Sequence, residues 1–589
     1  MSESRRNGAL LLLLLVVTAL IGCNRRRDPA NSSAPAPVAR PTTGGQRAAM
    51  TLALTPWEGS LRLADATSDC GVVFRYRSGR ERGLAGLIES LGGGVGLFDY
   101  DGDGLLDIFA AGGGDWDGAS RPTGAPSSLH RNVGEFRFQD VTTQAGAAAD
   151  SFFTHGVAAG DFDEDGFVDL LVTGYGGVQL LKNQGDGTFE PATAASKINS
   201  TDWTTGAAWG DLNGDGLLDL FVVGYVDWST TNHRNRPGAR PDQLERPAVA
   251  PLPPAPDRLY LNRGDGTFQD ATAQFALRRD GKGLGVALAD IDLDGDLDVF
   301  IANDSVQHFF YRNDQPAGRW VETGQLLSPQ FDPGADLPPP PRGHGIEVGD
   351  YDEDGWPDVW ISGGAPSSMS LIRNLGDGDF QNADRTPSQN ARQIIAWGAA
   401  FADFDLDADL DVVITAGHHL RFPREPQVVK QPTIVLENVV GLTHLDHRYN
   451  RIAFRADPYL ALEHESRGVA VGDLDDDGDV DIVISHVDGP LTVLRNETVN
   501  GNYWLRVKLI GRRGTRDPVG AVVRTTIVGR ERVAQVRSGG GYLSSHDRRL
   551  TLGAGQVPRV ERVEVRWPSG AVQRFDDLPV NQELVVLEP

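Results

Sequence analysis

Short apolar runs and polar turns alternate along this chain at a regular period. GGGVGLF (92–98) and LLDIFAAGG (105–113) flank an acidic turn, and the same arrangement recurs down the chain. Runs of this length between turn residues read as β-strands. The turn between them has the form D-x-D-x-D-G-x-x-D. It begins at Asp99, Asp161, Asp211, Asp290, Asp350, Asp403 and Asp473, so the starts lie 50–79 residues apart. Such a period signals one structural unit repeated seven times.

A second polar turn falls between the acidic ones. Its full form, L-x-x-N-x-G-D-G-x-F, occurs at Leu180–Phe189, Leu259–Phe268 and Leu371–Phe380, with degenerate copies ending at Asn132, Asn313, Asn438 and Asn496. Asp-Gly between strand-like runs is a hairpin signal. Each unit therefore holds two hairpins, or about four strands, and seven four-stranded units predict an all-β, seven-bladed β-propeller. The last unit lacks a strand after Asn496. Its counterpart, Leu63-Ala64-Asp65-Ala66-Thr67 with Gly71 six residues past Asp65, lies near the front of the chain. The front segment is thus expected to supply the outer strand of the last blade and close the ring.

The spacing of the carboxylates predicts cation binding. Calcium takes six to eight oxygen ligands in a flexible shell. Aspartates at positions 1, 3 and 5 converge if the chain turns sharply at position 6, where glycine takes positive φ without penalty. Position 7 offers its backbone carbonyl and position 9 another carboxylate. The expected ligands are Asp99, Asp101, Asp103, Leu105 and Asp107 in the first loop; Asp161, Asp163, Asp165, Phe167 and Asp169 in the second; and Asp211, Asn213, Asp215, Leu217 and Asp219 in the third. They are Asp290, Asp292, Asp294, Asp296 and Asp298 in the fourth, and Asp350, Asp352, Asp354, Trp356 and Asp358 in the fifth. The sixth and seventh supply Asp403, Asp405, Asp407, Asp409 and Asp411, and Asp473, Asp475, Asp477, Asp479 and Asp481. Up to seven Ca²⁺ are expected. Asn213 costs the third loop one charge, and Ala408 in place of glycine ranks the sixth loop weakest. These are not EF-hands, whose twelve-residue loops run to a glutamate between helices.

Net charge changes the picture in one respect. The seven nine-residue windows hold 31 Asp and 2 Glu of the 81 acidic residues, and the formal net charge is −26. The acidity belongs to the loops and argues against nucleic acid as a partner. Residues 501–589 run the other way, with 14 Arg and 1 Lys against 9 acidic residues. Their short β-like runs predict a small β-sandwich over 499–589 that either docks on the acidic propeller (57–498) or offers a basic patch elsewhere.

At the N-terminus, Arg5 and Arg6 precede an apolar run from Ala9 to Ile21, too short to span a bilayer and patterned as a signal peptide over 1–22. Leu20-Ile21-Gly22-Cys23 resembles a bacterial lipobox, which implies lipidation of Cys23 and anchoring to the bacterial cell envelope, at the outer membrane or cell surface. Residues 23–56, rich in Pro, Ser and Ala, read as a flexible tether. The other cysteine, Cys70, reads as a small buried hydrophobe.

The whole span 60–589 carries a family resemblance. IESLGGGVGLFDYDGDG, IANDSVQHFFYRN and SRGVAVGDLDDDGDVDIVIS resemble FG-GAP/VCBS repeats of the cartilage acidic protein family, whose blades are similar to those of integrin α propellers. NYWLRVKLIG, RSGGGYLSSHDRRLTLGAG and VRWPSGAVQRFDDLP resemble an ASPIC/UnbV domain. The chain departs from the family at Ala408 and in a Pro-rich insertion at 234–256 that lacks a cysteine some relatives would carry.

No G-x-S-x-G or H-E-x-x-H occurs, and the Gly92–Gly96 cluster leads into an acidic loop rather than a helix. His155 and His344 are expected on innermost strands, in structural or channel-lining rather than catalytic roles; His418 and His419 form the other pair of interest. Arg263-Gly264-Asp265 spells an adhesion tripeptide, explained by the repeated Asn/Gly turn. Two readings follow. One is a monomeric, calcium-binding, envelope-anchored module that recognises a protein or glycan. The alternative is an exported enzyme acting on polysaccharide, with its site in the channel or on the top face.

Overall fold

The computed structural model describes residues 61–589 apart from 83–85, 119–120, 232–248, 250, 315–318, 328–341, 365–368, 377, 384–393, 419–428, 441–446, 452–458 and 488. Cys23 with its leader and tether, His419 and most of the 234–256 insertion lie outside the described residues.

Every acidic loop joins two antiparallel strands. The first joins Val95–Phe98 to Asp107–Ala110, the second Phe153–Gly160 to Asp169–Tyr175, and the sixth Ala396–Ala402 to Asp411–Ala416. A third strand, ending at or near the motif asparagine, and a short fourth complete each sheet, as in Ser128–Asn132 and Phe138–Asp140 of the first. The described residues hold seven such sheets. Their first strands touch one another in cyclic order, and Ser466–Gly472 of the last returns to Val95–Phe98 of the first. The architecture is that of a β-propeller.

The first strands are apolar without alternation (GVAAG, GLGVALA, AWGAAFA), because both faces are covered by neighbouring sheets. Their glycines are dictated by close approach around the axis. A Cβ on Gly156 would lie 2.7 Å from Thr205 O, on Gly345 2.5 Å from Trp397 O, and on Gly468 2.7 Å from Gly93 O.

Closure follows the pattern read from the repeats. Leu63–Asp65 pairs antiparallel with Thr492–Asn496, matching Leu63 to Asn496 and Asp65 to Leu494. Ala66 N and Leu491 N extend the seam with bonds to Val493 O and Phe74 O.

The C-terminal residues form two further sheets. One joins Tyr503–Ile510 to Leu550–Gly555 and, in parallel, to Gln582–Leu587. The other has four strands, Arg530–Gln535, Val522–Ile527, Arg559–Arg566 and Val572–Pro579. They close over Val523, Val563, Val565 and Trp567 as a small sandwich. Its basic side chains turn toward the propeller: Arg566 reaches Asp290 at 2.8 Å, Arg532 reaches Glu353 at 3.0 Å, and Arg506 pairs with Asp473 and Asp476. Of the two expectations for this basic domain, docking is the one realised.

Candidate metal centres and the filled axis

The seven loops share one hydrogen-bonded design. The position-6 amide donates to Oδ2 of position 1: Gly104 to Asp99 at 2.9 Å, Gly216 to Asp211 at 2.8 Å, Gly355 to Asp350 at 3.1 Å, and equivalently at Gly166, Gly295 and Gly478. That residue has positive φ in every loop, including Ala408 at +84°. Alanine thus makes the turn that glycine makes elsewhere, and its amide still reaches Asp403 Oδ2 at 2.9 Å. Position 7 (Leu105, Phe167, Leu217, Asp296, Trp356, Asp409, Asp479) donates its amide to Oδ1 of position 5, which sets its backbone beside the carboxylates.

Position 9 has a role that spacing alone did not expose. Asp107 accepts from Tyr100 N at 2.9 Å and from Asn132 N at 2.7 Å. Asp169, Asp219, Asp298, Asp358, Asp411 and Asp481 repeat this, each taking the position-2 amide of its own loop and the amide of the motif asparagine. The asparagine side chain then reaches into the preceding blade. Asn183 Nδ2 donates to Tyr100 O at 2.7 Å, Asn262 to Phe162 O at 2.8 Å, and Asn313, Asn374, Asn438 and Asn496 continue the series. Asn132 closes it on Leu474 O at 2.7 Å. The L-x-x-N motif is thus both a hairpin turn and a clasp between blades.

The carboxylates converge. Asp99, Asp101 and Asp107 offer oxygens within 4.8 Å of one another, as do Asp161, Asp163 and Asp169; Asp290, Asp292 and Asp294; Asp350, Asp352 and Asp358; and Asp403, Asp405 and Asp411. Several of these oxygens are buried with no hydrogen-bond donor: Oδ1 of Asp101, Asp163, Asp292, Asp352 and Asp475 at position 3, and Oδ1 of Asp161 and Asp403 at position 1. A buried carboxylate oxygen without a donor is costly. A hard cation supplies the missing partner, so these residues fit calcium by donor type, number and convergence. Burial, aided by neighbouring carboxylates, pushes Asp107, Asp169, Asp219 and Asp350 up to about 8 and Asp161 and Asp290 to about 7.

Basic side chains temper most loops. The residue before the motif asparagine leans on positions 3 and 5: Arg131 on Asp101 (2.6 Å) and Asp103 (3.0 Å), Arg373 on Asp352 (2.5 Å) and Asp354 (2.7 Å), with Lys182 and Arg495 placed alike. In the third loop, where Asn213 removes a charge, that position is Leu261. In the sixth it is Glu437.

The propeller axis is filled from both ends. Ser538–Asp547 threads through the ring as a plug. Gly540 N bonds Val286 O at 2.8 Å, Gly541 O accepts from Ile346 N at 2.9 Å, and Leu543 O accepts from Val157 N at 3.1 Å. Ser545 exchanges bonds with Leu97 and Val95, Asp547 N bonds Val471 O, and Ser538 Oγ accepts from Trp209 N. The Tyr542 ring packs 5.0 Å from that of Trp397 on the sixth blade, so all seven first strands touch the plug. Beneath it, at the strand ends away from the acidic loops, Tyr76, Trp116, Phe153, Trp203, Trp228 and Trp397 form a buried aromatic cluster. His155 and His344 do lie on first strands but are wholly buried. His155 stacks on Trp203, bonds Tyr76 Oη at 3.1 Å, and is held down to about 4 by burial; His344 stacks 4.0 Å from Trp397. Of the structural and channel-lining roles expected for these histidines, the buried structural one is realised.

A cavity of about 160 Å³ remains between plug, sandwich and propeller, lined in part by Glu347, Phe401, Arg537 and His546. Glu347 is taken up in docking: it accepts from Arg537 and Gly541 N at 2.7 Å and from His546 at 2.9 Å. Despite its burial, the Arg537 and His546 contacts hold its carboxyl below the usual range.

The repeats match the FG-GAP-like repeat family over 99–172, 161–222, 248–301, 290–361 and 350–414, and residues 511–589 match the ASPIC and UnbV family. The chain is an FG-GAP-like repeat protein with a C-terminal ASPIC and UnbV domain. The repeats of this type point to an extracellular binding module. Cartilage acidic protein 1 of Mus musculus is 28% identical over 330 residues, covering 54% of this chain and 46% of that protein. The Homo sapiens protein of that name is 26% identical over 321 residues, covering 54% of this chain and 37% of that protein. The FG-GAP-like chain thus matches less than half the length of these relatives. Among solved structures, an Agrocybe aegerita lectin described as recognising non-reducing terminal N-acetylglucosamine superposes with a TM-score of 0.36 at 16% identity, over 68% of this chain and 87% of that one. No described helix is long and apolar enough to cross a membrane.

Proposed function

We propose that this protein is a calcium-stabilised binding module of the cell envelope, exported and lipid-anchored through Cys23, acting as a monomer and recognising a protein or glycan rather than nucleic acid. The calcium part is carried by one observation: convergent carboxylates whose buried oxygens have no donor in five position-3 aspartates. Cations at these loops would replace repulsion by shared coordination and brace the blade edges that the asparagine clasps join.

The filled axis favours binding over catalysis. The C-terminal domain docks on the acidic-loop face, and the axial groups His155 and Glu347 are buried in packing or docking bonds. The recognition surface is then the opposite face and the outer blade edges. A glycan and protein array probed with the calcium-loaded chain and again in chelator tests this reading. Calcium-dependent capture of a discrete ligand class supports it. Turnover of a polysaccharide by the purified chain would instead favour the enzyme alternative.

A further inference from the structure

The sixth loop differs from the others in three ways that act together. Position 3 is half-buried in the other six loops, but Asp405 is buried. Position 7 is also an aspartate in the fourth and seventh loops, where Asp296 and Asp479 are half-buried, but Asp409 is 4% exposed and neither of its carboxylate oxygens has a hydrogen-bond donor. It lies among Asp403, Asp405, Asp407 and Asp411, all of which press on its charge after burial itself. The position that holds a basic residue in five other units holds Glu437, itself buried, against Asp407. Arg532 offsets part of the charge on Asp403 but is already paired with Glu353 at 3.0 Å.

This loop is also a docking point of the C-terminal domain. Gly553 N donates to Asp403 Oδ2 at 3.1 Å and Gly555 N to Leu406 O at 2.9 Å. Asn502 Nδ2 donates to Asp405 O at 2.8 Å, and Asn500 reaches the same carbonyl. A Cβ on Gly553 would fall 2.1 Å from Asp403 Oδ2, so the two segments lie in direct contact.

We propose that the sixth loop holds a buried, slowly exchanging calcium-class cation bound in part by the Asp409 side chain, and that this cation fastens the C-terminal domain to the propeller. The proposal rests on the reading that the acidic loops bind calcium. A buried position-7 carboxylate and less solvent favour retention, and release requires the covering segments at 500–502 and 553–555 to open first.

The test is stopped-flow release. The full chain loaded with Ca²⁺ is mixed with excess fluorescent chelator. Most cations should leave in a fast phase and one equivalent at least about tenfold more slowly, as expected when a local opening step precedes release. Asp409→Asn should remove the slow equivalent; should that variant fail to fold, Glu437→Gln should accelerate it. Replacing Asn500 and Asn502 by alanine should keep the stoichiometry but speed the slow phase. Release of all cations at one rate, or an unchanged slow phase in these variants, overturns the proposal while leaving calcium binding intact. A chain that takes up no Ca²⁺ overturns both.

Discussion

Replacing Asn132 by alanine probes the clasp at the ring's seam. The side chain is fully buried and its Nδ2 serves two carbonyls, Leu106 O at 3.0 Å in its own blade and Leu474 O at 2.7 Å in the last. Its Oδ1 also fixes the turn by accepting from Gly134 N at 3.0 Å. A buried polar group left without a partner costs about 1–3 kcal/mol, so two orphaned carbonyls imply a loss of about 2–6 kcal/mol. Denaturant unfolding in saturating calcium should show this as a lower midpoint at unchanged slope. Asn262→Ala removes the same pair of bonds inside the ring, to Phe162 O at 2.8 Å and Leu218 O at 3.0 Å, and serves as the matched control. Both should lose stability in the stated range, and Asn132→Ala should in addition loosen Leu63–Asp65, read by faster amide exchange there. A loss below about 0.5 kcal/mol for both variants, the scale of an ordinary surface change, would refute the clasp.

Ala408→Gly should raise stability by up to about 1 kcal/mol, because alanine at φ +84° bears a penalty that glycine does not; a lower melting temperature counts against the strained turn. In chelator, acidification from pH 8 to pH 5 should stabilise the fold. Asp107, Asp169 and Asp219, raised to about 8, bind protons in the folded state that unfolded aspartates near 4 release, so stability falls as pH rises through that window. In millimolar calcium the order should reverse, since protons then compete with the cation; identical pH profiles with and without calcium contradict the assignment. Tyr542→Ala, which removes a buried ring from the axis, should cost about 3–5 kcal/mol, as large core truncations do, and a neutral result would show that the plug is not part of the core.

The fold was legible because its signals are local and repeated. Seven Asp-rich turns in one register mark the first hairpins, and L-x-x-N marks the second. The missing strand after Asn496 pointed to Leu63–Asp65, which pairs there. What the chain did not disclose depends on contacts between distant residues. The clasp from Asn132 to Leu474 spans 342 positions, and nothing in a hairpin motif says where its side chain ends. The plug was hidden for a related reason. RSGGGYLSSHDRR has no alternation, since its groups contact seven different strands, and its glycines at 539–541 all take positive φ. Glu437 was visible as a departure from Arg or Lys before the motif asparagine, but only the register across Leu436 and Val412 brings it over the sixth loop. Ala408 argued against that loop from sequence, yet Asp403, Asp405, Asp409 and Asp411 are all buried in it.

The central claim is that the acidic loops are cation sites that the folded propeller uses. Elemental analysis of the purified chain, equilibrated with micromolar calcium and freed of unbound ion, measures it most directly. Bound calcium close to one ion per acidic loop, with a melting temperature that falls by many degrees on chelation, is the predicted result. A chain that carries no calcium and melts at the same temperature in chelator would contradict the account.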